Sequence, residues 1–310
     1  MIVFSSFILE IVFFLQFSFI SEMTLKSFIL ATRPWSLSAS LVLVFLGNIY
    51  AYKQSEEKFN IFIAMITTVC VICVHIAGNL INTYYDFKNG VDGPRSSDTT
   101  LIKGDLKPNQ VLELSILSYV VSTVSILVLI LFTNIETKLT VTLFIIGALL
   151  SYCYTGGLKM KYFALGDIAI ISAFGPVTVL FAFASQTNVL SWKPVLASIP
   201  LVCLTEAILH VNNCRDLEED RKSGITTMAI LLGANTSYFV YTSLITLPFL
   251  SALIMGFTSH KLFLLPLILS VKGRNLIRRC YENKFLHLVE HTAELNLLYG
   301  VLYSFALFWS

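Results

Sequence analysis

The chain has 310 residues, of which 56% are hydrophobic and only 13% are charged, and its mean hydropathy is +0.77. Soluble domains carry about 25% charged residues, so this composition excludes a soluble globular protein. A net charge of +2 gives no reason to expect a nucleic-acid partner. The long apolar runs favour an all-α, polytopic transmembrane bundle in a lipid bilayer, because strands of a membrane barrel would be shorter and would alternate apolar with polar residues.

An apolar segment opens the chain at residues 1–22. It contains Glu10 but no Lys or Arg, whereas a secretory signal peptide begins with a positively charged region. We expect an extra helix, an anchor or a misassigned start, for which Met23 is the alternative. A single domain is expected to cover residues 23–310.

Nine apolar runs follow, and a transmembrane helix needs about 20 predominantly apolar residues. The predicted spans are residues 37–52, 59–82, 110–132, 139–156, 164–186, 194–214, 235–257, 261–272 and 293–309. The first and the eighth are the shortest. The sequence therefore predicts about nine transmembrane helices.

Positive charges are distributed unevenly between the two sides that these spans define. Nearly all of the 21 Lys and Arg residues lie on the side that holds Arg33; the exceptions are Lys53, Lys58, Lys138, Lys193 and Lys261. Because cytosolic loops are enriched in Lys and Arg, we expect the Arg33 side to face the cytosol. Endoplasmic reticulum or Golgi membranes are favoured over mitochondria, because we see no Arg-rich, Ser-rich presequence.

The six cysteines lie mostly in apolar runs, and Cys70 and Cys73 form a CxxC pair. The pair falls on one apolar helix without nearby partners. We therefore interpret the cysteines as ordinary buried thiols and not as a metal or redox site.

Polar side chains recur at helical spacing where two of the predicted spans end on the Arg33 side. In the second span, His75, Asn79, Asn82 and Asp86 fall on one helix face, and Asp92 follows. In the sixth, Glu206, His210 and Asn213 are followed by Asp216 and Asp220. Carboxylates inside or beside a membrane are costly to place, so this pattern predicts a functional site.

Paired carboxylates at a membrane boundary suit the binding of hard cations. Mg²⁺ takes carboxylate oxygens and completes its shell with phosphate oxygens of a substrate. Nearby Lys and Arg would contact the remaining phosphate oxygens. A diphosphate joined to a long apolar tail fits both the acids and the lipid-facing surroundings.

At these residues the sequence resembles the UbiA superfamily of intramembrane aromatic prenyltransferases. The segments that carry the resemblance are RPWSLSAS (33–40), GNLINTYYDF (78–87), YTGGLKMKYFALGD (154–167), EAILHVNNCRDLEEDRKSGITTMAILLG (206–233) and TAELNLLYG (292–300). The resemblance implies the UbiA helical fold and Mg²⁺ as cofactor. It also implies transfer of an isoprenoid, geranylgeranyl being favoured, from its diphosphate to a naphthoquinol, which makes menaquinone-4.

The resemblance also implies roles for individual residues. It assigns Asp86, Asp92, Asp216 and Asp220 to the Mg²⁺–diphosphate site and gives Lys161 and Tyr154 catalytic roles. The residues expected to bind substrate are Arg33, Asn79, Asn82, Asn212, Asn213, Arg215, Arg221, Glu206 and His210. Family members commonly read DDRTL where this chain has SDTTL at residues 97–101, so Ser97 and Thr99 put a phosphate or gating role for that loop in doubt.

Several alternatives remain open from the residues alone. Tyr154 and Lys161 are also typical of interfacial and cytosolic positions. Glu206 and His210 either shape the acceptor pocket or pair with each other, and Asp167 is expected to hold the start of a helix. The rival functions are prenylation of 4-hydroxybenzoate or homogentisate, a membrane phosphotransferase, a transporter with a Glu206–His210 proton relay, and an isoprenoid-binding regulator.

Overall fold

The computed structural model describes residues 25–93 and 98–310, so the predicted N-terminal extension and Ser97 lie outside the described residues. The helices are α1 (Leu25–Ala31), α2 (Ser38–Gln54), α3 (Ile61–Lys88), α4 (Pro108–Phe132), α5 (Thr137–Cys153), α6 (Gly166–Ser172), α7 (Thr178–Thr187), α8 (Trp192–Lys222), α9 (Met228–Leu232), α10 (Ala234–Thr258), α11 (Ser270–Tyr281) and α12 (Leu288–Trp309). A π-helical turn over Ala173–Val177 joins α6 to α7, and a 3₁₀ segment over Lys261–Leu269 precedes α11. The all-α prediction is confirmed.

Five helical segments are long and apolar enough to cross a membrane, by length and composition, within the described ranges. They are Ile61–Lys88, Pro108–Phe132, Gly166–Thr187, Trp192–Lys222 and Ala234–Thr258, and α5 is a shorter apolar helix. Each of the nine predicted spans falls on helical chain. The eighth falls on the 3₁₀ segment and the start of α11, and the count of nine stays a prediction.

Large apolar side chains cover much of the outer surface. Phe257 and Ile268, for example, are each 78% exposed. Monomeric soluble proteins rarely expose continuous apolar surface of this kind. The chain is therefore an integral membrane protein, as the composition predicts, and these side chains face lipid.

The bundle packs around two large apolar clusters, and two smaller ones lie elsewhere among the described residues. In the larger one, α2 and α8 meet α10 and α12 through buried side chains such as Leu43, Leu204 and Tyr299. The second lies among α3, α4, α5 and α7 and includes Leu129 and Phe181. Helices of both clusters therefore border the same interior space.

Two of the predicted helix ends are wrong, and both corrections concern the site. The second span was predicted to end at residue 82 and the sixth at residue 214, but α3 continues to Lys88 and α8 to Lys222. The added residues are polar but include no Gly or Pro, so they favour continued helix. Asp86, Asp216 and Asp220 therefore lie on rigid helix and not in loops.

The two helices also end in the same way. Gly90 and Gly224 have positive φ, and the next residue donates its backbone N–H to an aspartate carbonyl, Val91 to Asp86 and Ile225 to Asp220. This six-to-one bond is the Schellman stop, which needs a left-handed residue after the helix. By position from this stop, Asn82 and Asp86 correspond to Asp216 and Asp220.

Candidate active site

Asp86 is the centre of the first motif, which we define as Asn82, Asp86 and Asp92. Its carboxylate is 3% exposed. Lys161 Nζ donates to Oδ2 at 2.6 Å, Asn82 Nδ2 donates to Oδ2 at 2.7 Å, and the Tyr162 hydroxyl donates to Oδ1 at 2.7 Å. These three donors satisfy the hydrogen-bonding capacity of a buried carboxylate at the end of α3.

Arg33 joins this motif from the turn between α1 and α2. Its guanidinium donates to Asn82 Oδ1 and to Asp98 Oδ2, both at 2.8 Å. Burial opposes its charge, but the carboxylate of Asp98 outweighs burial and raises the pKa of Arg33. Arg33 itself has a φ of +50°, so the backbone is strained at the residue that enters the site.

Asp98 is a residue that the sequence reasoning did not assign to the site. Besides Arg33, it accepts hydrogen bonds from the Thr83 hydroxyl at 2.5 Å and from the Thr100 backbone N–H at 3.0 Å. Burial acts against ionisation, but Arg33 and these donors hold the pKa of Asp98 well below its usual range. The loop after α3 is thus anchored on the first motif by a stable carboxylate.

Asp92 follows the stop of α3 and is half-buried. Burial, and then the charges of Asp86 and Asp98, raise the pKa of Asp92 to about 7. Three carboxylates are therefore crowded at one place, and the nearby cations only partly compensate them. A divalent cation would relieve this repulsion, so the donor set fits Mg²⁺.

The polar face predicted for α3 is confirmed. Asn79 Nδ2 donates to the carbonyl of Thr32 at 3.0 Å and to the Ser36 hydroxyl at 2.9 Å. His75 Nδ1 lies 3.0 Å from the Ser40 hydroxyl. This face therefore packs against the start of α2 and positions the turn that carries Arg33.

The second motif, Asp216 and Asp220, lies on α8. Arg215 Nε and Nη2 donate to the two oxygens of Asp216, both at 2.7 Å, and Nη2 also donates to Asn212 Oδ1 at 2.7 Å. Asn212 Nδ2 donates to Asp216 at 3.3 Å. Residues of a single helix turn thus form a carboxylate–guanidinium pair with bidentate geometry.

The other predicted residues of α8 divide into two groups. Asp220 and Asn213 are buried, at 6% and 3% exposure. Arg221 is exposed and contacts Glu218 at 3.4 Å. The structure therefore does not bring Arg221 to the acids of the two motifs.

A loop over residues 154–165, which we call the linking loop, connects the two motifs. It carries Lys161, whose charge is disfavoured by burial but stabilised by Asp86 and by Asp220, so that the pKa of Lys161 is raised. Phe163 pairs with Thr226 in a parallel bridge. Ala164 N–H donates to the Thr226 carbonyl at 2.7 Å, and Thr226 N–H donates to the Tyr162 carbonyl at 3.1 Å. Lys161 is thereby fixed between the motifs.

Tyr154 is the first residue of this loop. Its carbonyl accepts the Lys161 N–H at 2.8 Å. A Cβ at Gly166 would lie 3.3 Å from the ring of Tyr154 and 3.4 Å from Lys161 Cα. The small residue at 166 thus lets the tyrosine ring and the lysine backbone pack closely.

A cavity of about 450 Å³ opens beside these residues. Arg33, Asn79, Asn82, Tyr154, Lys161, Asn212 and Arg215 line its polar part, with Asp98, Thr99 and Lys103. Apolar side chains such as Leu143, Phe144, Phe174 and Phe181 line the rest. The cavity can therefore bind a molecule with an anionic end and an apolar body. Thr99 faces this cavity although the family's arginine is absent there.

Glu206 and His210 do not line the cavity. They are buried beside Asp167, which faces His210 Nδ1 at 3.5 Å. Asp167 therefore contacts His210 in addition to lying in the first turn of α6.

The site residues that the sequence reasoning missed are Tyr162, Asp98 and Thr83. Tyr162 adjoins Lys161 in a 3₁₀ turn, and Asp98 lies in a loop, so neither has a helical period to mark it. The available signal for Tyr162 was its position directly after Lys161, a predicted site residue.

The fold and this arrangement define a helical membrane enzyme with two acidic motifs beside the polar part of an interior cavity. The sequence profile of the UbiA prenyltransferase family matches residues 40–281. The chain belongs to this family, and it is a prenyl-transferring enzyme.

Curated relatives are similar over most of the chain. The UbiA prenyltransferase domain-containing protein 1 homolog of Drosophila melanogaster is 40% identical over 92% of this chain and 80% of its own length. UbiA prenyltransferase domain-containing protein 1 of Rattus norvegicus is 41% identical, and that of Homo sapiens 40% identical, each over 91% of this chain and 83% of the relative.

Solved structures share the fold. The apo UbiA homolog from Aeropyrum pernix K1 superposes with a TM-score of 0.63 at 15% identity, covering 87% of this chain and 95% of that one. A UbiA homolog from Archaeoglobus fulgidus, solved with GPP and Mg²⁺, gives 0.59 at 13% identity over 92% and 100%. The UbiA-type fold predicted from the sequence is confirmed.

Proposed function

We propose that this enzyme transfers a geranylgeranyl group from its diphosphate to a naphthoquinol and so makes menaquinone-4. The observation that carries the proposal is the placement of Lys161 between two acidic motifs at the polar end of an apolar cavity. The Archaeoglobus fulgidus homolog was solved with GPP and with DMAPP, each together with Mg²⁺. That a protein of this fold binds prenyl diphosphates supports the donor half of the proposal.

Asp86, Asp92, Asp216 and Asp220 would hold Mg²⁺. The structure supports this set through its chemistry, because Asp92 is crowded by Asp86 and Asp98 and the second motif adds two further carboxylates. Bound there, Mg²⁺ supplies Lewis acidity that stabilises negative charge on a diphosphate leaving group.

The basic side chains bind the remaining diphosphate oxygens. Lys161, Arg33 and Arg215 all line the polar part of the cavity, and each is paired with an acid in this structure. With Mg²⁺ and a diphosphate bound, these three cations would balance the negative charge of the phosphate oxygens in the buried site.

In the chemical step, the bond between the first prenyl carbon and the diphosphate oxygen breaks, and both electrons leave with diphosphate. The allylic cation forms a carbon–carbon bond to the electron-rich quinol ring, and the ring proton passes to an aspartate or to water. The Tyr154 ring, at the cavity wall, is placed to stabilise the cation. The apolar wall excludes water that would hydrolyse it.

The choice of a naphthoquinol acceptor and of a geranylgeranyl chain is based on similarity to the curated relatives and to the family. The named alternatives are another aromatic acceptor, 4-hydroxybenzoate or homogentisate, and a role in isoprenoid binding and regulation. A transporter would need helices broken in both halves. The π-helical turn with Pro176 is one such break, and the acids lie at helix ends and not at it.

The test is an assay of membranes containing the full chain with labelled geranylgeranyl diphosphate and Mg²⁺. Reduced menadione, 4-hydroxybenzoate and homogentisate are supplied separately. We expect labelled menaquinone-4, and we expect it to vanish with EDTA and in Asp86→Asn but not in the matched variant Glu57→Gln, whose carboxylate is exposed.

The outcomes separate the alternatives. Labelling of one of the other two aromatic compounds would identify a different acceptor and would leave the proposed donor chemistry unchanged. Activity of Asp86→Asn equal to that of the wild type would remove the proposed metal site. Absence of any product from folded protein that still binds the diphosphate would favour the regulatory function.

We further propose that the motifs face the cytosol of endoplasmic reticulum or Golgi membranes, on the basis of the Lys and Arg distribution. Cysteines introduced at Lys159 and at Glu57, both exposed, are labelled with an impermeant maleimide. Reaction at residue 159 alone after selective opening of the plasma membrane is the expected result, and reaction at residue 57 alone would reverse the orientation.

A further inference from the structure

A second group of metal-ligating side chains lies inside the bundle. Asp167 begins α6, and Glu206 and His210 lie one turn apart on α8. Their exposed fractions are 8%, 4% and 1%. One ligand atom from each lies within 4.8 Å of the others. The acids of the two motifs are not part of this group.

The hydrogen bond of His210 determines which ring nitrogen carries the proton. Nε2 lies 3.1 Å from the carbonyl oxygen of Ser237, which can only accept, so Nε2 is the donor. In a neutral ring Nδ1 then presents a lone pair, and it faces Asp167 Oδ1 at 3.5 Å. Two acceptors that face each other in a buried place repel unless a cation lies between them.

Glu206 adds to this imbalance. Both of its carboxylate oxygens are buried and have no hydrogen-bond donor. Among the described residues, no Lys or Arg forms an ion pair with Glu206 or Asp167. An uncompensated buried charge is strongly destabilising, so either a bound cation or a proton shared between Asp167 and Glu206 must balance the group.

We propose that Asp167, Glu206 and His210 bind a divalent transition-metal ion of the Mn²⁺, Fe²⁺ or Zn²⁺ class. Two carboxylates and a neutral imidazole carry two negative charges, which a divalent ion balances. Imidazole with carboxylates suits these metals, whereas Mg²⁺ prefers oxygen ligands alone. A backbone carbonyl that accepts from the second ring nitrogen, as Ser237 does, is the usual partner of a metal-bound histidine.

The position of this site indicates a structural role. Asp167 follows directly after the linking loop, and Glu206 and His210 lie on the helix that carries the second motif. The ion therefore ties the end of the linking loop to α8. This ion is distinct from the Mg²⁺ that we propose to bind with the diphosphate.

The first test measures bound metal in the full chain, purified in detergent and washed with EDTA to remove weakly held ions. We expect Mn, Fe or Zn at one ion per chain in the wild type, and its loss in Glu206→Gln and in His210→Gln. Two matched variants, His75→Gln and Asp216→Asn, should retain it. If the wild type contains no more metal per chain than Glu206→Gln does, the proposed site is overturned. A proton shared between Asp167 and Glu206 would then balance the group.

A second test needs only the wild-type chain and His75→Gln, and so does not depend on the folding of the core variants. After stronger chelation strips the metal, we expect Tm to fall and to recover with Mn²⁺ or Zn²⁺ but not with Mg²⁺. Added Co²⁺ should give a visible absorption band that Zn²⁺ removes. An unchanged Tm without a Co²⁺ band overturns the proposal.

Discussion

Asp86 on α3 and Asp216 on α8 both lie shortly before a Schellman stop, yet their carboxylates are neutralised in different ways. Asp86 is held by Lys161, which lies 75 residues away, and by Tyr162, 76 residues away. Asp216 is held by its own neighbours, Arg215 and Asn212. The partners of Asp86 therefore depend on the tertiary fold, whereas those of Asp216 lie within a single helix turn.

Because of this difference, substitutions in the two motifs should have different effects on protein stability and on substrate binding. Disrupting the first motif should affect both, because it leaves a buried acid without its cation. Disrupting the second should affect substrate binding alone, because its pair is local and partly exposed.

Replacement of the central lysine should have the largest effect. Lys161→Met leaves Asp86 buried without its cation and would remove the proposed diphosphate contact, so we expect a fall in kcat/KM of about 10²–10³-fold, as for removal of a preorganised charge donor. Tm should also fall. Turnover and thermal unfolding in detergent check this, with the exposed Lys159→Met as the matched control. A Lys161→Met enzyme with a normal rate would exclude the bridging role.

A smaller effect is expected from Arg215→Lys, which retains the charge but cannot donate two parallel bonds to Asp216. We expect activity to fall about tenfold, which corresponds to one charge-assisted hydrogen bond of about 1.5 kcal/mol. Tm should not change. Arg278→Lys, at an exposed pair on α11, is the control. A clear loss of Tm would show that the second motif also supports the fold.

Tyr162→Phe should reduce activity about fivefold, because it removes one neutral donor from Asp86. Since Tyr162 and Lys161 share the same carboxylate, their effects should not be additive. A double-mutant cycle on kcat/KM measures this coupling. Strict additivity would mean that the two residues act on different groups.

Asp98→Asn should have the smallest effect on rate and act mainly on stability, by about 1–3 kcal/mol, because Arg33 loses a buried carboxylate. The pKa of Asp98 is lowered in the folded protein. Its contribution is therefore present above the unfolded pKa of about 3.9 and is lost only as pH falls through the lower folded value.

The loss of Tm in Asp98→Asn should consequently be the same at every pH from mildly acidic to neutral. Thermal unfolding across that range checks it, with the exposed Asp105→Asn as the control. A loss that disappears below neutral pH would show that Asp98 is protonated there.

The parts of the site that follow helical period were predictable from sequence. The stripe from His75 to Asp86 shares one face of α3, as its spacing indicates, and its first members, His75 and Asn79, contact the chain around the start of α2. Helix ends were harder to predict, because the polar residues that extend α3 and α8 end the apolar run that marks a membrane span without ending the helix. Gly90 and Gly224, which mark the true stops, were the overlooked signal.

What the sequence could not supply is the contact between distant segments. Nothing near Asp86 indicates that Tyr162 reaches it, and nothing near Glu206 indicates that Asp167 lies beside it. Such contacts depend on how helices pack, which period and composition leave open. The family resemblance identified Lys161 because it sits in a shared motif, but it did not indicate the hydrogen bond that Tyr162 makes.

The parallel bridge between Phe163 and Thr226 also has a consequence for biosynthesis. Thr226 lies beyond the end of α8, so the linking loop cannot be held until the chain has been made past that residue. A nascent chain that ends at Lys222 already carries every acid of both motifs without this attachment. The attachment that fixes Lys161 between the motifs can therefore form only after residue 226 has been synthesised.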